Sequence, residues 1–200
     1  MAKLEEIELT IDDEKVHGTF AMSVVSAPAM EADFVYLNAN QLELKVIDEE
    51  RRIVVGFAMI PEKRIYRKME IEGEEKEFNI YFSKETVAKS AELFMKNLHL
   101  NNFTDEHQKP IVDCSVIECW VVEDAKNDKS NIYGLKPSGG EWVLMSKIEN
   151  DDEWNLIKEG KRKGYSLEGI YSGFENLKAS KTEEEILIEE LSKIIENEQR

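Results

Sequence analysis

Short segments in which apolar and polar residues alternate fill the first 82 residues, and they constrain the fold more than any other feature. Residues 7–11 and 42–46 alternate strictly, which is typical of half-buried strands. Further strands are predicted over 16–25, 52–60, 64–69 and 77–82. Many short strands joined by polar turns favour an antiparallel barrel or sandwich. Since helical patterns follow, we predict an α+β fold, a mostly antiparallel β-barrel with flanking helices.

Helical periodicity begins after these strands. Ser83 can cap a helix over 83–98, and a shorter helix is predicted over 152–159. The apolar stripe expected on the first helix is Val87, Ala91, Phe94, Met95 and Leu98. Strands are predicted over 111–122, 141–148 and 163–174.

The C-terminal end has a separate helical signal. Thr182 and Glu185 form a capping box for a helix to about residue 196. Its apolar stripe is Leu187, Leu191, Ile194 and Ile195. We therefore predict one domain over 1–180, with the strands of 1–50 wrapping the barrel. Residues 181–200 form a charged amphipathic helix that is peripheral or used for docking.

Acidic residues dominate the charge of the chain and exclude some partners. The 200 residues include 42 Asp and Glu against 26 Lys and Arg, a formal net charge of −16. Nucleic acid is excluded as a partner because phosphate contacts need a basic surface. No apolar stretch approaches the roughly 20 residues of a membrane span. The acidic N-terminus does not fit a signal peptide, so we expect a cytoplasmic protein.

Several familiar chemical templates are missing from the sequence. Cys114 and Cys119 lie five residues apart in one predicted strand, so we expect both to be reduced. No His-Glu-x-x-His motif, Gly-rich phosphate loop or Cys-x-x-Cys pair occurs. We therefore predict neither a cofactor nor a metal.

Three residues could take part in catalysis, and the sequence pattern alone does not decide whether each of them is functional or structural. His107 lies in the polar loop 101–110 and is either solvated or functional. Glu118 falls on an otherwise apolar face of the 111–122 strand, where it needs a partner. The alternatives are a structural ion pair, a position at the rim of the sheet, or a carboxylate that orients a histidine. Ser166 lies in a strand outside any nucleophile-elbow context and by itself fits an ordinary polar position.

The order of segments over roughly residues 20–175 resembles one protein family. Each segment is weak alone, but their order and spacing are similar to those of phage prohead, or capsid-maturation, serine proteases, in particular the XkdF-like branch. This family is held to be related in fold to the herpesvirus assemblin proteases. The segments that carry the resemblance are 25–30 with 33–34, 56–67, 82–87, the His107 loop, 116–122 and 163–169.

The resemblance implies that Ser166 is the nucleophile and His107 its general base. Assemblin-type enzymes use a second histidine, but none follows Ser166 in this chain. A carboxylate must then orient His107, and we predict Glu118, with Glu168 second and Asp105 third. The oxyanion donor is expected near Gly164 or in the 134–140 loop.

The resemblance also implies a function and a setting. The protein would be a serine endopeptidase that cleaves phage scaffold and major capsid proteins, and itself, through an acyl-enzyme. It would act in the host cytoplasm inside the immature prohead, before DNA enters, because packaged DNA repels an acidic body. A homo-oligomer is left open. The alternatives are a non-catalytic assembly or scaffold-binding domain of the same fold, or a hydrolase of small esters.

Overall fold

The computed structural model describes residues 4–26, 44–71 and 74–174. Within these ranges the chain forms eleven strands and two α-helices. Short 3-10 turns lie at His99–Asn101 and Lys129–Tyr133. In chain order the elements are β1 (Glu5–Glu8), β2 (Gly18–Val25), β3 (Lys45–Asp48), β4 (Ile53–Met59), β5 (Ile65–Ile71), β6 (Glu74–Tyr81), α1 (Lys84–Lys96), β7 (Phe103–Asp105), β8 (Lys109–Ile111), β9 (Cys114–Val121), β10 (Trp142–Ile148), α2 (Asp151–Lys158) and β11 (Gly164–Ile170).

The strands form three sheets, whose orders are β1-β6-β5, β3-β4-β10-β9 and β11-β2-β7-β8. Most neighbours are antiparallel, whereas β1 with β6 and β2 with β7 are parallel. The predicted α+β class with mostly antiparallel strands is therefore confirmed. A closed barrel is not found among the described residues, so that part of the prediction is unconfirmed.

One apolar core joins the sheets and α1. All seven residues of β4 are buried, because this strand is covered on both faces. Phe94 of α1 packs edge-on against Trp142 of β10, with ring centroids 5.3 Å apart. Burying each such side chain contributes roughly 1.5–3 kcal/mol, so this packing fixes α1 against the sheet.

Helix α1 begins and packs largely as the sequence predicts. The Ser83 hydroxyl accepts a hydrogen bond from the Thr86 amide at 3.3 Å, which confirms the N-cap. Val87, Ala91 and Phe94 are buried as expected. The expected stripe is wrong at its end, since Met95 and Leu98 are exposed. Leu98 lies beyond the helix in the left-handed region, where the chain changes direction.

The β11-β2-β7-β8 sheet positions the candidate site. Its last two strands form a hairpin within residues 103–111, where the sequence predicts a polar loop leading into a strand. The hairpin is hard to detect because each strand has three residues, too few to show alternation. The hairpin brings the His107 turn alongside β2.

Some expectations concern other parts of the chain. The predicted C-terminal helix with its apolar stripe lies outside the described residues, as do positions 27–34 of the family resemblance. Among the described residues, no helix is both long enough and apolar enough to cross a membrane.

Candidate active site

Ser166 lies in β11, with Ser23 of β2 directly opposite and Thr104 of β7 next in line. Directly opposite residues have Cβ atoms about 4.5–5.5 Å apart on the same face of a sheet. Ser166 is 1% exposed, and its hydroxyl makes no hydrogen bond to any described group. A buried hydroxyl without a partner is uncommon and calls for an explanation, structural or functional.

His107 lies at the tip of the hairpin between β7 and β8. Glu106 and His107 have φ angles of 47° and 62°, and the Gln108 amide donates to the Asp105 carbonyl at 2.8 Å. Two positive φ angles are the signature of a type I′ turn, which normally uses Asn-Gly. The left-handed conformation costs roughly 1–2 kcal/mol for each non-glycine residue. Such strain persists only where neighbouring contacts hold it, and it clusters at functional sites.

Ser23 holds the backbone of this turn. Its hydroxyl accepts a hydrogen bond from the His107 amide at 3.0 Å and donates to the Thr104 carbonyl at 3.0 Å. Since Ser23 also lies opposite Ser166, the backbone of His107 is held on the far side of β2 from Ser166. The sequence analysis did not identify Ser23, because nothing in one sequence reveals the register of β2 against β11.

The His107 ring forms a buried pair with Glu168. Nδ1 of His107 lies 3.0 Å from Oε1 of Glu168, and the two side chains are 3% and 12% exposed. The Thr104 hydroxyl donates to the same carboxylate oxygen. Burial alone would raise the pKa of Glu168, but hydrogen bonds from His107 and Thr104 outweigh it and hold the pKa below its ordinary value. The carboxylate is therefore ionised at neutral pH.

An ionised carboxylate on Nδ1 determines the role of the ring. A neutral imidazole that donates from Nδ1 carries its acceptor lone pair on Nε2. The carboxylate also stabilises the imidazolium that forms when Nε2 takes a proton. Glu168 is thus placed to act as the orienting group of a histidine base.

Glu118 does not occupy the position that the sequence predicts for it. The β9–β10 register shifts between Val116 and Glu118, so the alternation breaks at Ile117 and Glu118 becomes exposed. The Glu118 carboxylate bonds to Lys129. The strand of Glu118, β9, belongs to a different sheet from the β7–β8 hairpin that carries His107. The carboxylate that contacts His107 is Glu168, the second choice of the sequence analysis.

Asp105, the third choice, belongs to a buried cluster around Arg162. The Arg162 guanidinium donates to Glu153 at 2.7 Å, to Glu106 at 2.5 Å and to Asp105. The Arg162 and Glu153 side chains are 8% and 4% exposed. Burial raises the pKa of Glu153, and Arg162 offsets this only in part. This Arg162 cluster ties the strained His107 turn to α2.

Sequence reasoning missed Arg162 as a positioning residue. It sits between Lys161 and Lys163, and a basic run normally indicates solvated charge. The available signal was chemical, since only arginine has the planar fork that bonds several carboxylates at once.

Three backbone amides of the predicted oxyanion loop, 134–140, already donate hydrogen bonds to other groups of the protein. The Ser138 and Gly139 amides donate to the Glu141 carboxylate at 2.6 and 2.7 Å, and Gly140 donates to the Val122 carbonyl at 2.7 Å. Burial alone would raise the pKa of Glu141, but the hydrogen bonds that its carboxylate accepts from the Ser138 hydroxyl and from the Ser138 and Gly139 amides hold the pKa below its ordinary value. In this structure those three amides do not point at an oxyanion. The other expected region, near Gly164, stays a prediction.

Cysteine and metal chemistry have little support in the described part of the chain. Cys114 and Cys119 are free, and burial raises the pKa of Cys114 to about 12, so its thiol stays protonated at neutral pH. No group of three or more His, Cys, Asp or Glu side chains there could hold a metal ion.

Serine hydrolases that work through an acyl-enzyme use a serine, a histidine base within hydrogen-bond reach and a carboxylate that orients the histidine. Ser166 and His107 share no hydrogen bond here, and in enzymes without substrate such contacts are often long. The structure therefore shows the His107–Glu168 contact but no Ser166–His107 hydrogen bond.

Comparison with known families agrees with this class of site. A family model described as "Putative phage serine protease XkdF" matches residues 41–175, about two thirds of the chain. The chain belongs to this family, as the sequence resemblance predicted. The matched region includes Ser166, His107 and Glu168. No curated protein and no solved structure matches the chain, and the relationship to assemblin stays a prediction.

Proposed function

We propose that the protein is a serine endopeptidase in which Ser166 is the nucleophile, His107 the general base and Glu168 the orienting carboxylate. The observation that carries this proposal is the buried His107–Glu168 pair on the sheet face that also bears Ser166. Membership of a phage serine protease family supports the same reaction class.

The proposed reaction has two halves, acylation of Ser166 and hydrolysis of the resulting ester, and His107 transfers a proton in both. The Ser166 hydroxyl attacks the peptide carbonyl carbon while its proton passes to Nε2 of His107. The C–N bond then breaks, and the amine leaves with that proton, so an ester on Ser166 remains. Water attacks the ester with His107 again as base, which releases the acid and restores the serine. Glu168 stays ionised throughout.

The burial of Ser166 sets a condition on this reaction. At 1% exposure, the hydroxyl cannot meet a peptide until the groups covering it move aside. Closing over a reaction centre excludes water and is common in enzymes. We infer that substrate binding opens the site and brings His107 into hydrogen-bond distance of Ser166.

We further propose that the substrates are phage scaffold and major capsid proteins, together with the protease itself, inside the immature prohead in the host cytoplasm. The phage family supports this setting. Substrates confined in a shell have a high effective concentration, so modest intrinsic activity suffices. The net charge of −16 favours action before DNA enters the head.

Co-expression with the phage's scaffold and major capsid proteins tests this function. Ser166→Ala and His107→Ala should abolish processing, read as intact masses of the scaffold and capsid proteins. Ser130→Ala is a matched control, because Ser130 is also a fully buried serine and lies outside the proposed site. His17→Ala controls for loss of a histidine elsewhere. Wild-type processing by both site variants would overturn the proposal.

A second candidate is a non-catalytic assembly or scaffold-binding domain of the same fold. The burial of Ser166 favours it, since a structural serine needs no access to substrate. In that case the site variants would support head assembly as well as wild type does, and no scaffold fragment would form in any sample.

A further inference from the structure

A cleft of about 610 Å³ with a mixed apolar and polar lining opens beside the proposed catalytic pair. Thr104 and Glu168 form part of its lining. One part of the remaining wall is apolar, made by Phe20, Ala21, Phe103, Ile111 and Val112. The other part is polar and includes Asn101, Asn102 and Ser115. A cleft that adjoins a catalytic carboxylate is well placed to take part of a substrate.

The cleft lies close to Ser166, because its lining residue Glu168 is two positions further along the same strand. Glu168 follows Ser166 by two residues on the same face of β11, a separation of roughly 6.5–7 Å. Ala21 lies directly opposite Glu168 in β2. A carbonyl carbon attacked by Ser166 would carry its own side chain toward this part of the sheet.

Charge restricts what the cleft can hold. Three of its lining residues are carboxylates, namely Asp113, Glu149 and Glu168, and none of the described lining residues is Lys, Arg or His. Glu168 is committed to His107 and Thr104. An acidic substrate side chain would meet like charge beside an apolar wall, which is unfavourable.

We propose that this cleft binds the side chain of the residue whose carbonyl Ser166 attacks, and that it selects an apolar side chain over an acidic one. This inference rests on the proposed function, because it assigns the substrate preference of the same site. The apolar part of the wall favours burial of a methyl or larger group, whereas an Asp side chain loses its hydration there and meets like charge.

Diphenyl phosphonates that mimic a peptide residue provide the probe. The Ser166 oxygen forms a bond to phosphorus, phenoxide leaves, and the serine proton passes through His107 to phenoxide. Matched probes with a Leu or an Asp side chain are compared by the rate of adduct formation in intact-mass spectra. The Leu probe should react at least about tenfold faster than the Asp probe.

A variant at the rim tests whether the cleft causes the preference. Val112 is 70% exposed, so Val112→Lys should fold normally while adding a cation to the lining. The ratio of Asp to Leu labelling rates should rise about two- to fivefold. Val16→Lys is the matched control, because Val16 is also exposed but lies outside the cleft. It should leave the ratio unchanged.

The outcomes separate the two proposals. If a small fluorophosphonate labels Ser166 but the Leu probe has no advantage, the specificity inference is wrong and the proposed chemistry stands. An unchanged rate ratio in Val112→Lys also overturns the inference. If no probe labels Ser166, the proposed function fails, and the inference fails with it.

Discussion

Removing the guanidinium of Arg162 is the perturbation whose magnitude follows most directly from the structure. Arg162→Met deletes the group that bonds Glu153, Glu106 and Asp105, while keeping an apolar stem. The Arg162 and Glu153 side chains are 8% and 4% exposed, so the remaining charge cannot simply be hydrated. Breaking a buried pair in this way costs about 3–5 kcal/mol. Typical domain stabilities are about 5–15 kcal/mol, so the loss is a large fraction.

Urea unfolding at pH 7.5 and pH 5 measures this effect. The destabilisation of Arg162→Met should be smaller at pH 5, because buried carboxylates without their cation protonate more readily. Arg52→Met is the matched control, since Arg52 bonds Asp151 at 2.7 Å in an exposed pair in the same first turn of α2. It should cost less than about 1 kcal/mol. If both variants lose the same small free energy of unfolding at pH 7.5, the role of Arg162 in holding the His107 turn to α2 is refuted.

Three further predictions test individual contacts. Glu168→Gln should slow fluorophosphonate labelling by about 10²- to 10⁴-fold because it loses the orienting charge, whereas Glu118→Gln should match wild type. Ser23→Ala should cost about 1–3 kcal/mol in urea unfolding and slow labelling, since the His107 amide loses its acceptor; unchanged stability and labelling would contradict that role. In the folded protein the pKa of Glu141 lies below its ordinary value of 4.5. Its ionised carboxylate therefore stabilises the fold above about pH 4.5, and this stabilisation is lost as the pH falls through the pKa of the folded state. Glu141→Gln should therefore be less stable at pH 7 by about 1–3 kcal/mol, and the deficit should vanish in acid unfolding curves; a deficit independent of pH would contradict this.

Local patterns predicted much of the secondary structure. Strand alternation and helical spacing depend on neighbouring residues, so they identified β4, β10, α1 and α2 to within a few residues. The Ser83 cap was also predictable, because capping depends on a residue's own side chain and the next turn.

Contacts between distant strands were harder to predict. Choosing between Glu118 and Glu168 required the β9 register shift and the position of β7 beside β2, and neither leaves a local trace. The β7–β8 hairpin uses Glu-His where Asn-Gly is usual, since its strain is held by Ser23 and Arg162 rather than by turn propensity. Such exceptions to local rules are expected at functional sites.

Covalent labelling by a small fluorophosphonate tests the central claim most directly. Peptide mass mapping of the labelled wild-type protein should place a single adduct on Ser166. His107→Ala should remove the adduct, whereas Ser130→Ala should retain it. Absence of any adduct on Ser166 in folded wild-type protein, or equal labelling of His107→Ala, would contradict the assignment of a Ser166–His107–Glu168 catalytic centre.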